Sequence, residues 1–244
     1  MAAVEIVDQD HAALCTRAVE LVFGFIRRES KKTLNVAVCG GRSIVPVLSA
    51  IVSRASDLSP QDWFRLQFFM VDERLVSLDD RDCNFKLLSE NFFSKILEAG
   101  LINREQVHPF TFTSSQIDRA LLAYQEELDR FGGLFDLVFL GVGEDAHVAA
   151  LFPGSRWLAD FRLGAEEPNG IKFVAFQNSP KPPSGRMSSS PYLIAHAKFA
   201  MALLLGEGKR QALDRYRSPV SNVFDCPAKL VDLVKEAYLL TDLS

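Results

Sequence analysis

Strand-length apolar runs punctuate the chain at Asn35–Cys39, Arg65–Val71, Phe135–Leu140, Lys172–Phe176, Lys198–Leu205 and Ala237–Leu240. Between them, apolar positions recur every three or four residues over Asp8–Arg28, Ser43–Arg54, Asn84–Leu97, Ser115–Phe131 and Glu207–Tyr216, the spacing of one buried helix face. Near-continuous apolar strands alternating with helix-length segments predict an α/β fold: a mostly parallel, doubly wound sheet with helices on both faces. No internal repeat or low-complexity tract interrupts this pattern, and we expect one domain over residues 1–244. The Pro/Ser-rich run Ser179–Pro191 is expected to be a loop with a role beyond linking.

Composition narrows the function classes. With 48% hydrophobic and 24% charged residues the chain reads as an ordinary soluble globular protein. Its net charge of -4 gives no global positive field, so neither nucleic acid nor an anionic membrane is an expected partner. An anionic substrate would have to meet a local cluster of basic side chains. The cysteines at 15, 39, 83 and 226 and the histidines at 11, 108, 147 and 196 are scattered, so neither a disulfide framework nor a metal site is expected. The start of the chain has no basic, then apolar, stretch of a signal peptide, and the longest apolar run, Phe199–Leu205, is far below the ~20 residues that span a bilayer. A cytoplasmic protein needing no obligatory partner is the expectation.

In open α/β sheets ligands sit beyond the carboxyl ends of the strands, and it is there that the polar chemistry of this sequence gathers. The first strand runs into Gly40-Gly41-Arg42-Ser43, where glycines admit a phosphate to backbone N–H groups and Ser43 is a candidate helix cap. A plain capped turn needing no ligand is the alternative. The second ends in Asp72-Glu73-Arg74, suited to orienting a hydroxylated substrate or polarising a carbonyl, or equally to a solvated charged loop.

The third is followed by Gly141-Val142-Gly143-Glu144-Asp145-Ala146-His147, close to a dinucleotide fingerprint. Pro153-Gly154 stop the next helix early, and the next strand ends in Gln177-Asn178 rather than in a ribose-binding acid, so a nicotinamide cofactor is not expected. His147, two residues from Asp145, is instead a candidate general base, since imidazoles titrate near neutrality. The proline-stiffened segment carrying Lys181 and Arg186, and the turn Gly206-Glu207-Gly208-Lys209, supply further cations. Either set has the bland alternative of a solvated basic surface.

Taken in order, these segments resemble the 6-phosphogluconolactonase family, relatives of the glucosamine-6-phosphate deaminases. The matching motifs are Gly40–Ser43, Val71–Arg74 with Asp82–Phe85, Gly141–Gly154, Ser179–Pro183 with Arg186, and the turn ending at Lys209. The resemblance implies hydrolysis of a sugar-phosphate lactone without metal or organic cofactor. It further implies His147, Asp145 and Arg74 at the reacting end, with Gly40, Gly41, Arg42, Ser43, Asp72, Lys181, Arg186 and Lys209 binding substrate and phosphate.

Two departures stand out. Ala146 replaces the family's usual glycine and would be strained by about 1 kcal/mol if the turn needs a positive φ. Ile44 replaces a frequent proline. The extra glutamate that a deaminase carries shortly after its histidine has no counterpart in Val148–Pro153, which favours the hydrolytic branch. A deaminase or isomerase, and a non-catalytic sugar-phosphate binder, remain the alternatives.

Overall fold

The computed structural model describes residues 2–159, 161 and 170–244. Strands β1 (Val4–Val7), β2 (Leu34–Val38), β3 (Leu66–Met70), β5 (Val107–His108), β6 (Leu137–Gly141), β9 (Phe199–Leu204) and β10 (Glu236–Thr241) form one sheet in the order β1-β10-β9-β6-β2-β3-β5. Every pairing in it is parallel. All residues of β2 and β9 are buried, so both faces of the sheet are covered, as their mostly apolar runs require; the one polar side chain, Asn35, donates to the carbonyls of Phe131 and Leu134.

The helices follow the apolar spacing closely. α1 (His11–Arg28) starts where the Asp10 carboxylate accepts the N–H groups of Ala12 and Ala13, and it ends on Arg27 and Arg28, which complement the carbonyl end of the helix dipole. The predicted helix from Asn84 is continuous to Glu98, as α4 (Asn84–Leu88), a π-helical turn (Ser89–Phe93) and α5 (Ser94–Glu98). The turn places Phe92 and Phe93 edge-on against Phe68 of β3. α6 (Ile117–Asp129) sits within the predicted 115–131 segment. After β9 a 3-10 turn (Glu207–Lys209) precedes α9 (Arg210–Arg217).

Beyond the unexpected edge strands β1 and β5, the structure departs from expectation in three places. The Lys172–Phe176 run is β7 (Phe173–Phe176), which lies outside the parallel sheet. It joins β4 (Asp72–Arg74) and β8 (Arg186–Ser189) in a separate antiparallel sheet, ordered β4-β8-β7. Part of the expected Ser179–Pro191 loop is thus a fully buried strand. Ser43 is not a helix cap: α2 (Val45–Ser53) begins after Ile44, with no side-chain cap bond and with Pro46 in its first turn. Proline suits that place because its missing N–H would be unpaired there anyway. The buried Ile44 side chain anchors the entry to α2 instead.

Strand order reverses between β2 and β6. From β2 the chain proceeds outward to β3 and β5, and from β6 to β9 and β10 on the other side. Beyond the carboxyl ends of two such strands a crevice opens, because their connections leave in opposite directions.

Candidate active site

A cleft of about 520 Å³ occupies that crevice. Its walls come from the loops after β2 (Gly40–Ser43), β6 (Val142–His147) and β9 (Leu205–Lys209), together with Asp72, Arg74, Lys181 and Arg186. Every substrate-binding residue expected from sequence lines it, and so do His147 and Arg74. Asp145 does not; it stands behind the imidazole. Among the described residues no cluster of His, Cys, Asp or Glu is placed to hold a metal ion, and no helix is long and apolar enough to cross a membrane.

The turn after β6 is built tightly around His147. Gly143 N–H donates to the His147 carbonyl (2.8 Å) and Ala146 N–H to the Gly143 carbonyl (3.0 Å). A Cβ on Gly143 would lie 2.0 Å from His147 Nδ1, so glycine is required for the ring to fold back over the turn. His147 Nδ1 pairs with the Asp145 carboxylate in a short contact, leaving Nε2 as the other ring nitrogen. Phe152 covers the imidazole, with ring centroids 4.5 Å apart. Burial opposes the charge on Asp145, but the hydrogen bond and charge of His147, with Lys181 Nζ at 3.5 Å, hold its carboxyl well below the usual carboxylate range.

Ala146 adopts φ +68°, the left-handed conformation that its sequence position made a concern, and Ala149 does so at +51°. The Ala146 carbonyl is held by Ala228 N–H (3.0 Å), so the turn is pinned from the C-terminal segment. Strain of about 1–2 kcal/mol in a left-handed alanine is partly offset by burial of its methyl, worth about 0.8 kcal/mol. Ala146→Gly is therefore expected to change stability by less than about 1 kcal/mol, read as a melting shift of only a few degrees.

The opposite wall concentrates positive charge. Arg74 and Arg186 are direct partners across β4 and β8, a juxtaposition unfavourable without an anion nearby. The Asp72 carboxyl is buried beside them. Burial pushes its carboxyl up, against the pull of Arg74 and Arg186. Burial and the neighbouring Arg74 charge in turn push the Arg186 pKa down. Arg186 donates to the carbonyls of Pro183 (3.0 Å), Pro182 (3.2 Å) and Lys181 (3.3 Å), and so shapes the loop that presents Lys181. Arg74 Nη1 donates to the Asp82 carbonyl (2.6 Å), while its buried Nε has no partner among the described residues.

Beside the β6 loop Lys209 Nζ donates to the Val142 carbonyl (2.5 Å), and burial pushes its pKa down. Gly206 starts that turn at φ +93°, with its N–H on Asp242 (2.8 Å). Sequence reasoning did not assign His11 or Asn84 to the site, yet both line the cleft. Asn84 lay in a quoted motif, Asp82–Phe85, whereas His11 stands alone at the start of α1 and carried no signal.

Residues 9–240 match the family described as glucosamine-6-phosphate isomerases/6-phosphogluconolactonase. This chain belongs to that family. It is 33% identical to 6-phosphogluconolactonase of Borreliella burgdorferi over 215 residues, 88% of this chain and 86% of that one. In structure it resembles the 6-phosphogluconolactonase of Trypanosoma brucei with a TM-score of 0.79 at 22% identity, covering 98% of this chain and 96% of that one. A monomeric glucosamine-6-phosphate deaminase superposes almost as well, with a TM-score of 0.76 at 16% identity over 99% and 97% of the two chains. The parallel-sheet fold and the family expected from sequence are thus both found. The fold does not choose between the two chemistries.

Proposed function

We propose that this protein is a 6-phosphogluconolactonase, hydrolysing 6-phospho-D-glucono-1,5-lactone to 6-phosphogluconate. The observation that carries the reading is the Asp145–His147 pair, set at the cleft between β2 and β6 and faced by Arg74 and Arg186. The hydrolase class is supported by the curated relative at 33% identity. Against deamination stands the stretch after the imidazole, Val148–Pro153, which carries no acid; Phe152 packs on the ring instead.

In the mechanism we infer, Asp145 accepts the Nδ1–H of His147 and leaves Nε2 free to take a proton from water. The water oxygen attacks the lactone carbonyl carbon, and negative charge grows on the carbonyl oxygen. Arg74, a cation lining the cleft, is the donor assigned to that charge. Collapse breaks the bond from the carbonyl carbon to the ring oxygen, and the imidazolium returns its proton to that leaving oxygen. Asp72 is available to a sugar hydroxyl.

The phosphate is assigned to Gly40–Ser43, Lys181, Arg186 and Lys209. The first turn of α2, free of any side-chain cap, adds backbone N–H groups there. Lys209→Ala is expected to raise KM about tenfold or more while lowering kcat less, since a dianion loses a cation that it contacts before and during reaction. An unchanged KM would remove Lys209 from the phosphate site. The reading as a whole is tested by lactone hydrolysis corrected for the spontaneous rate, run beside ammonia release from glucosamine 6-phosphate. Ammonia release without lactonase activity would replace it with the deaminase reading, and activity in neither assay with that of a binding protein.

A further inference from the structure

Alternation along β4 sends Asp72 and Arg74 to the cleft and leaves the residue between them out of it. Glu73 is 1% exposed, a buried acid with no part in the mechanism above. Its Oε1 accepts the backbone N–H groups of Arg74 (2.7 Å) and Asn84 (2.7 Å). Its Oε2 accepts those of Phe85 (2.8 Å) and the Cys83 thiol (3.5 Å). One carboxylate thereby closes the excursion of residues 75–83 and ties β4 to the first turn of α4. Asn84 returns the contact, its Nδ2 donating to the Asp72 carbonyl (3.0 Å). Gly40 leaves room for that amide: a Cβ there would lie 1.9 Å from Asn84 Oδ1. β4 and α4 are therefore joined at one polar lock beside the cleft, with the phosphate loop packed closely against its Asn84 side chain.

Burial of a carboxylate is costly unless its hydrogen bonds are made, and apolar side chains of similar volume often hold two elements together at least as well. Geometry is what the polar lock adds. It fixes the backbone of Arg74 at its own N–H, while Arg74 Nη1 is held by Asp82 at the end of the same excursion. We propose that Glu73 is a positioning residue for lactone hydrolysis, acting through Arg74 by fixing β4 against α4. The inference rests on the lactonase reading.

Steady-state kinetics on wild type, Glu73→Gln, Arg74→Lys and the double variant test it. Glutamine keeps the shape but turns an amide N–H2 toward N–H groups that need an acceptor. Its kcat is expected to fall about 10- to 100-fold, because small displacements of a positioned group carry losses of that size. KM is expected to change far less. In the Arg74→Lys background the same change is expected to cost less than about threefold, since residues acting as one unit are not additive. Glu73→Asp, one methylene short of both helix N–H groups, carries the same cycle if the glutamine variant does not fold. Unchanged kcat in a folded Glu73 variant, or equal losses in both backgrounds as a purely structural role gives, overturns the proposal. Should wild type lack lactonase activity, that reading fails on its own. The cycle is then read as affinity for 6-phosphogluconate by calorimetry, where coupling supports the role and additivity rejects it.

Discussion

His147→Ala is expected to lower lactone hydrolysis by about 10²–10⁴-fold, the usual contribution of a positioned general base. Circular dichroism should show the fold retained. The ring is partly exposed at the cleft, with a side-chain accessibility of 17%, and the turn around it is fixed by backbone bonds that survive its removal: Gly143 N–H to the carbonyl of residue 147 and Ala228 N–H to that of Ala146. What alanine takes away is the one group in the cleft that Asp145 holds by Nδ1 with a second ring nitrogen to spare. Turnover at the wild-type rate in a folded variant would end the general-base assignment, and Asp72, the buried carboxyl on the other wall, would be the next group to replace.

How much of this was legible in the sequence depends on whether burial there coincides with hydrophobicity. β2, β6 and β9 are almost wholly buried and apolar, Asn35 being the one polar side chain among them, so their runs and the motifs at their ends mark the cleft. In the small sheet only β7 gave such a signal. β4 is Asp72-Glu73-Arg74 and β8 is Arg186-Met187-Ser188-Ser189, which read as charged and polar loop. All of β8 is nonetheless buried, because the side chains find partners inside: Ser189 Oγ donates to the Val71 carbonyl (2.8 Å) and Ser188 Oγ to that of Ser189 (2.9 Å). No periodicity separates a buried charged run with satisfied hydrogen bonds from a solvated one. Glu73 was hidden for that reason, and its burial is visible only once α4 is seen to turn its N–H groups on it. His147 and Asp145 were readable because a two-residue spacing in a glycine turn suffices to bring them together. Arg74 and Arg186, 112 positions apart by number, meet only through strand register.

Asp145→Asn is expected to reduce kcat by about 10²–10⁴-fold with little change in fold, the loss that follows when a histidine is held in the wrong tautomer. The carboxylate can only accept, so it keeps the proton on Nδ1 and the lone pair on Nε2. An asparagine side chain can also donate to Nδ1. It would then stabilise the ring with its proton on Nε2, where it cannot take one from water. KM should move less than kcat, because Asp145 stands behind the imidazole and does not line the cleft. The pH dependence separates the two members of the pair. Asp145 has its carboxyl held well below the usual range, so the stability it contributes is present above the ordinary carboxylate pKa and is lost only as pH falls through the depressed value. It therefore stays ionised throughout the neutral and mildly acidic range. An acid limb in the wild-type pH–rate profile within that range must therefore come from a group other than Asp145. If Asp145→Asn retained wild-type turnover, the carboxylate would be reduced to a partner of Lys181, 3.5 Å away, and the imidazole would have to be oriented by Phe152 and the turn alone.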